Sequence, residues 1–301
     1  MTPRIVCAGI AVLDRIYRLD ALPTAAGKHF ATSYTEIGGG PAATAAVAIA
    51  RLGGAATLWS RTGADPAATA IEAELRGYGV DPVLHRCEGA RSASATICID
   101  PAGERQIVTF LDPALDPSPA WLPLPSLAGA AYLLADLRWP EGAAAALRHA
   151  AALGIPRLLD ADAVPDPAAA RPLLPLASHV IFSEPGLRQF TGEQDPAAGL
   201  RAARRPTGAW LAVTLGELGA LSLEPDGLHP WPAFPVAAVD TTGAGDVFHG
   251  AFALALALAW PISRAMRFAA AAAACKCRRP GGRAGMPTRA EIDQLLLEKH
   301  A

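Results

Sequence analysis

The chain has 301 residues, of which 51% are hydrophobic and 18% charged, and its formal net charge is −2. Such a composition feeds a large buried core and argues against disorder, and it lacks the broad basic face that nucleic-acid binding needs. Twice the commonest domain length still suits a single α/β sheet. Ile5 to Leu13 runs nine residues without a charge before Asp14, which predicts a buried strand. Lys28 to Ile37 alternates loosely and predicts a second, half-exposed strand. Gly38-Gly39-Gly40-Pro41 then punctuates the chain, and Ala42 to Leu52 reads as an alanine-rich helix closed by Gly53-Gly54. Ala56 to Ser60 is strand-like and Pro66 to Gly77 helical. Ala93 to Asp100 and Gln106 to Leu111 flank the turn sequence Pro101-Ala102-Gly103-Glu104 and predict a hairpin.

Beyond the proline-rich stretch Pro113 to Pro125, strands at 131–135, 156–160, 179–183 and 209–214 alternate with helices that include 141–153 and 185–191. That alternation predicts a mostly parallel sheet covered on both faces. Ala220 to Leu223 and Ala237 to Val239 continue it, and helices follow at Gly245 to Ala259, Ser263 to Cys275 and Arg289 to Glu298. No repeat and no long linker breaks the pattern. The fold class expected is α/β, one domain over 1–301 with a small β appendage near the N-terminal third.

Five cysteines, with Cys275-Lys-Cys277 too closely spaced for a zinc knuckle, read as reduced thiols of a cytosolic protein. The N-terminal apolar run is too brief for a signal peptide, and the stretch Ala251 to Trp260 meets Pro261, Ser263 and Arg264 before it reaches spanning length. A cytoplasmic location with no membrane or nucleic-acid partner is expected.

The most informative segment is Val239-Asp240-Thr241-Thr242-Gly243-Ala244-Gly245-Asp246-Val247-Phe248, small residues opening an apolar helix. Free N–H groups and the helix dipole at such a terminus favour an anion, for instance a migrating phosphoryl group. Asp246 would stand in the first turn, placed to accept the proton of an attacking hydroxyl while the amides there take up charge. Read blandly, Asp246 is a helix N-terminal charge beside a turn.

The string Asp-Thr-Thr-Gly-Ala-Gly-Asp resembles the C-terminal signature of the PfkB (ribokinase-like) carbohydrate kinases. The resemblance implies a ribokinase-like sheet, an ATP-dependent sugar kinase, Asp246 as base and residues 243–245 as the anion hole. Gly39-Gly40, Thr44 and the helix ending Arg51-Leu52-Gly53 resemble the family's N-terminal signature, with Thr44 where Asn is usual. Asp14 matches its sugar-holding aspartate; without the match it reads equally as a surface acid ending a strand. Thr214-Leu215-Gly216 matches a nucleotide-side motif. Ser183-Glu184-Pro185-Gly186 stands in the place of a magnesium-organising Asn-x-x-Glu, with Ser183 for the Asn and Gly186 for the last Glu; Glu184 remains as a nearby carboxylate, so magnesium leans on the nucleotide's phosphates and on water. Thr241 and Lys276 fall in segments the resemblance puts beside the nucleotide, and a monovalent cation also belongs to the family's repertoire.

Longer strings, among them Ala135-Asp136-Leu137-Arg138-Trp139 and Arg279-Pro280-Gly281-Gly282-Arg283-Ala284-Gly285, resemble the branch that phosphorylates 6-deoxy-6-sulfofructose. A cation is expected at the far end of such a sugar. Lys28, one of three lysines in a chain with 23 arginines, and Arg138, which follows an apolar strand, supply the candidates. Either also reads as a solvated surface charge. Thr109 replaces an Asn of that branch. The family's β lid maps to about 14–37 and 92–112, and pairing of lids implies a homodimer. Fructose or ribose is the alternative substrate, and an inactive sugar-binding relative a further one. Gly38-Gly39-Gly40-Pro41-Ala42-Ala43 also satisfies a dinucleotide fingerprint, though not after the first long strand; no P-loop is present.

Overall fold

The structure is a computed structural model and describes residues 2–298. Hydrophobic runs without alternation form strands buried on both faces, and the alanine-rich segments form the helices that cover them. In chain order the strands and helices are β1 (Arg4–Ala8), β2 (Val12–Arg18), β3 (Ser33–Gly39), α1 (Pro41–Arg51), β4 (Ala55–Gly63), α2 (Pro66–Gly77), β5 (Asp81–Cys87), β6 (Ser94–Ile99) and β7 (Arg105–Phe110). There follow β8 (Tyr132–Asp136), α3 (Pro140–Ala152), β9 (Arg157–Ala161), α4 (Pro167–Ala170), β10 (His179–Ser183), α5 (Glu184–Thr191), α6 (Pro196–Arg204) and β11 (Trp210–Thr214). The last are β12 (Ala220–Glu224), β13 (Gly227–Trp231), α7 (Ala244–Ala257), α8 (Ile262–Cys277) and α9 (Arg289–Glu298).

Nine strands make the main sheet in the order β13-β12-β11-β10-β9-β8-β1-β4-β5, parallel from β11 to β5 with β12 and β13 antiparallel at one edge. Successive residues of the central strands feed opposite layers. Ile5, Cys7 and Leu134 join a core with α1, α7 and α8, whereas Val6, Ala8 and Leu133 join one with α3, α5 and α6. Burial on both faces is why these strands read as unbroken apolar runs. Their shared direction brings Asp136, Ala161, Ser183 and Thr214 to one edge, where open parallel sheets bind ligands.

A second sheet, β3-β2-β6-β7, stands over that edge. Here the structure corrects the expected boundaries. Ile5 to Leu13 is two strands in different sheets, because the chain bends after Ala8 and the N–H of Ile10 is caught by Asp136 at 2.9 Å. The half-exposed strand starts at Ser33 rather than Lys28, which lies in the preceding loop. Ala237 to Val239 is not a strand, and β5 and β13 are strands beyond the expected set: each carries an internal proline, a residue that argues against a strand along the chain.

Candidate active site

Asp136 organises the sheet edge. Buried at the end of β8, it accepts the N–H of Ile10 at 2.9 Å, of Ala42 at 3.1 Å and of Arg138 at 2.9 Å. One carboxylate thereby ties the β1–β2 corner to the N-terminus of α1. That junction aims Gly39 and Gly40 inward.

A small cavity of about 50 Å³ opens there, lined by Asp14, Gly39, Gly40, Thr44, Gly243, Asp246 and Arg283 among others. Beside it a wide cleft of about 770 Å³ runs past Thr214, Gly216, Phe234, Thr241, Ala244 and Gly245. The glycine-rich turn is the wall between them. Gly243 caps α7 in the left-handed region, φ 74°, with no side chain closing the helix end. The amides are not all free, as the reading of 243–245 supposed: the N–H of Ala244 donates to the Thr241 carbonyl at 3.2 Å. Those of Gly243, Gly245 and Asp246 meet no protein acceptor among the described residues.

Asp246 is half-buried, and burial followed by the negative charge of Asp160 pushes its carboxyl well above the usual range. Asp160, at the end of β9, meets His249 on α7: the imidazole Nδ1 lies 3.2 Å from its carboxylate. Burial works to lower the His249 value, but the acids of Asp160 and Asp246 outweigh it and raise the ring. Asp160, Asp246 and His249 present one ligand atom each within 4.8 Å, the single such trio among the described residues. A nitrogen donor already in contact with one of the two carboxylates does not suit magnesium, which takes oxygens and water; the trio reads as a proton-handling cluster. Asp14 is pushed up to about 6 by burial, against the pull of Arg283 and with the push of Glu74.

The predicted residues therefore divide. Asp14, Gly39, Gly40 and Thr44 join Gly243 and Asp246 at the small cavity, and Thr214, Gly216 and Thr241 line the wide one. Arg138 lines neither: its guanidinium pairs with Asp162 at 3.1 Å. Thr109 shares a cross-strand row with Asp14 but two strands away, roughly 10 Å. Ser183 caps α5, accepting from Gly186 at 3.0 Å and donating to Asp162 at 2.7 Å. Glu184 faces Arg188 one turn along its helix at 3.0 Å and belongs to no cluster of three or more carboxylate, imidazole or thiol ligands among the described residues.

Lys276 needs correction as a nucleotide contact. Its ammonium is fully buried, donating to the Asp240 carbonyl at 2.9 Å and lying 3.4 Å from the Asp240 carboxylate. Asp240 in turn accepts the N–H of Thr242 at 2.9 Å and of Gly281 at 3.0 Å, which staples the glycine-rich turn to the segment before Arg283.

Sequence reading missed Arg105, whose guanidinium spans from the lid to the Thr241 and Thr242 hydroxyls at 2.7 and 2.6 Å. It also missed Asp136, Asp160, His249 and Arg283. His249 was findable, three residues from Asp246 and so on the same helix face; the others depend on contacts between distant segments.

The family model described as pfkB family carbohydrate kinase matches residues 2–289. The chain is 32% identical to a ribokinase of Bacillus subtilis, over 97% of its length and 99% of the relative's. A solved structure from Agrobacterium tumefaciens, provisionally named a ribokinase, superposes with a TM-score of 0.94 at 38% identity and covers 100% of both chains. A fructokinase of Xylella fastidiosa with bound ATP shares the fold, with a TM-score of 0.85 at 24% identity and 100% coverage of both.

Proposed function

This chain belongs to the pfkB family of carbohydrate kinases, and from that premise we propose that it transfers the γ-phosphoryl of ATP to a primary hydroxyl of a neutral sugar such as ribose or fructose. The observation that carries the reading is one turn facing two cavities. The N–H groups of Gly243, Gly245 and Asp246 point to where a transferred phosphoryl would sit, with the wide cleft on one side and the Asp14–Asp246 cavity on the other.

In the reaction Asp246 accepts the hydroxyl proton as the sugar oxygen attacks the γ-phosphorus. The bond to the β-phosphate oxygen breaks, ADP leaves, and the backbone amides with the dipole of α7 stabilise the charge on the equatorial oxygens. A raised base suits this task, because a proton is held best by a group whose affinity lies near the working pH. Asp14 accepts hydroxyl hydrogens of the sugar. ATP is supported by the cleft beside the anion-binding turn and by the nucleotide held in the Xylella fastidiosa fructokinase. Magnesium would travel on the nucleotide's phosphates, since the one cluster of three potential ligands among the described residues includes the His249 nitrogen, which does not suit it.

A neutral sugar is favoured over 6-deoxy-6-sulfofructose. The relatives are named ribokinase and fructokinase, Arg138 already has Asp162 as counter-ion, and the small cavity carries the carboxylates of Asp14 and Asp246, which suit hydroxyl donors, while its one cation, Arg283, is already paired with Glu74. The lid leaves Phe30, Ile107 and Val108 outside any core, and a homodimer through that surface is part of the proposal.

ADP release measured over ribose, fructose, fructose 6-phosphate and 6-deoxy-6-sulfofructose tests the reading. Turnover of ribose or fructose is expected; turnover confined to the sulfonated sugar would replace it with the anionic reading, and none on any of them would end it. Asp246→Asn should bind ADP nearly as the parent does and lose about two to four powers of ten in kcat.

A further inference from the structure

Arg283 is 2% exposed, among the largest fully buried side chains of the protein, and it lies on the wall of the small cavity. A buried guanidinium is costly unless its donors and its charge are met. Its Nη2 donates to the Gly39 carbonyl at 2.8 Å and its Nε to the Thr44 hydroxyl at 3.4 Å. Its Nη1 meets the Glu74 carboxylate of α2 at 3.1 Å. A Cβ on Gly38 would occupy the space of Arg283 Nη1 and Glu74, so the first glycine of the triplet is the gap through which this ion pair passes. Arg283 is the one cation on a wall that also holds Asp14 and Asp246.

We propose that Arg283, tethered by Glu74, is the positioning residue of the acceptor pocket: it fixes the Gly39 carbonyl and Thr44 hydroxyl and supplies the positive charge that lets Asp14 and Asp246 share one small cavity. The role rests on the acceptor reading above. Asp240 extends it, because its carboxylate accepts the N–H groups of Gly281 and Gly282 immediately before Arg283 as well as that of Thr242. The same carboxylate thus sets the position of Arg283 and of the anion-binding turn. Charge supports the geometry, since Arg283 lowers the proton affinity of Asp14 and of Asp246. Asp14 is faced by Arg283 and Glu74; Asp246 by Asp160, Asp162, His249 and Arg283. Tyr78 also faces Arg283.

The test uses the full chain and whichever sugar the parent phosphorylates. Glu74→Gln with Arg283→Met removes both charges of the pair and keeps the interior balanced. It should raise the sugar KM about ten- to hundredfold, the scale of hydrogen bonds to a charged group, and leave the ADP dissociation constant within about twofold. The acid limb of kcat/KM for the sugar should move to higher pH, because two carboxyls lose their cation. Arg283→Ala should recover part of kcat/KM on addition of guanidinium at millimolar concentration, and Arg283→Lys should lie between parent and alanine. Should the charge-free pair fail to fold, Glu74→Gln alone still releases the tether and should raise the sugar KM severalfold. An unchanged sugar KM, an equal loss of ADP binding or no guanidinium rescue would overturn the role while the kinase reading stands. An inactive parent chain would overturn both.

Discussion

The proposed chemistry rests on Asp14 and Asp246 at the small cavity, and the proton affinity of its carboxyls gives it a pH signature. Asp14 is pushed up to about 6, chiefly by burial. Below that value it carries a proton and can no longer accept freely from sugar hydroxyls. The sugar KM should therefore rise as pH falls through about 6, and Asp14→Asn should hold a high KM that no longer varies there; steady-state kinetics between about pH 5 and 8 would show a flat parent KM if Asp14 does not touch the sugar. Asp240 has the opposite sign. Burial would raise it, but the N–H of Thr242, the ammonium of Lys276 and the N–H of Gly282 outweigh burial and hold it down at about 2. A depressed carboxyl stabilises the fold above its unfolded value near 4 and loses that contribution as pH falls through its folded one. Melting temperature should fall between about pH 4 and pH 2, and Asp240→Asn should flatten part of that slope.

The critical elements meet at the N-terminus of α7. Gly243 holds φ 74°, and a Cβ there would press the Thr44 methyl at 3.2 Å. Gly243→Ala should cost about 1–2 kcal/mol in stability from the left-handed backbone and more in turnover, because the strain falls on the amides proposed to hold the phosphoryl. Chemical denaturation and kcat measured on one preparation separate the two losses. Arg105 joins β7 of the lid to this turn through Thr241 and Thr242. Closure of such a lid excludes water from the reacting phosphoryl. Arg105→Ala should lower sugar turnover and raise the fraction of ATP hydrolysed without sugar phosphorylation, read as ADP formed per sugar phosphate; a ratio that stays at the parent value would show that Arg105 does not hold the lid shut.

For the whole molecule, the apolar lid surface is the feature a lone chain leaves unresolved. Phe30, in the loop before β3, is 81% exposed and Val108, on β7, is 69% exposed; the four-stranded sheet has open edges that invite pairing. Sedimentation should give a dimer, and Val108→Lys should shift it toward monomer. Among the described residues no helix is long and apolar enough to cross a membrane.

How much of this was legible in the chain depends on the range of the interaction. Gly243-Ala244-Gly245-Asp246 could be read because a turn opening a helix is local, and the strands from Tyr132 to Thr214 because burial on both faces writes an unbroken apolar run. The parallel sheet followed from that alternation. What only tertiary structure decided is where the charges go. Lys276 and Arg138 look like free cations along the chain, yet each has its acid, Asp240 and Asp162, on another element. Arg283 looks like one more surface arginine until Gly39, Thr44 and Glu74 close on it from up to 244 residues away. Periodicity and turn chemistry act over a few neighbouring residues, whereas a buried charge is settled by whichever distant partners the packed sheet brings within about 3 Å of it.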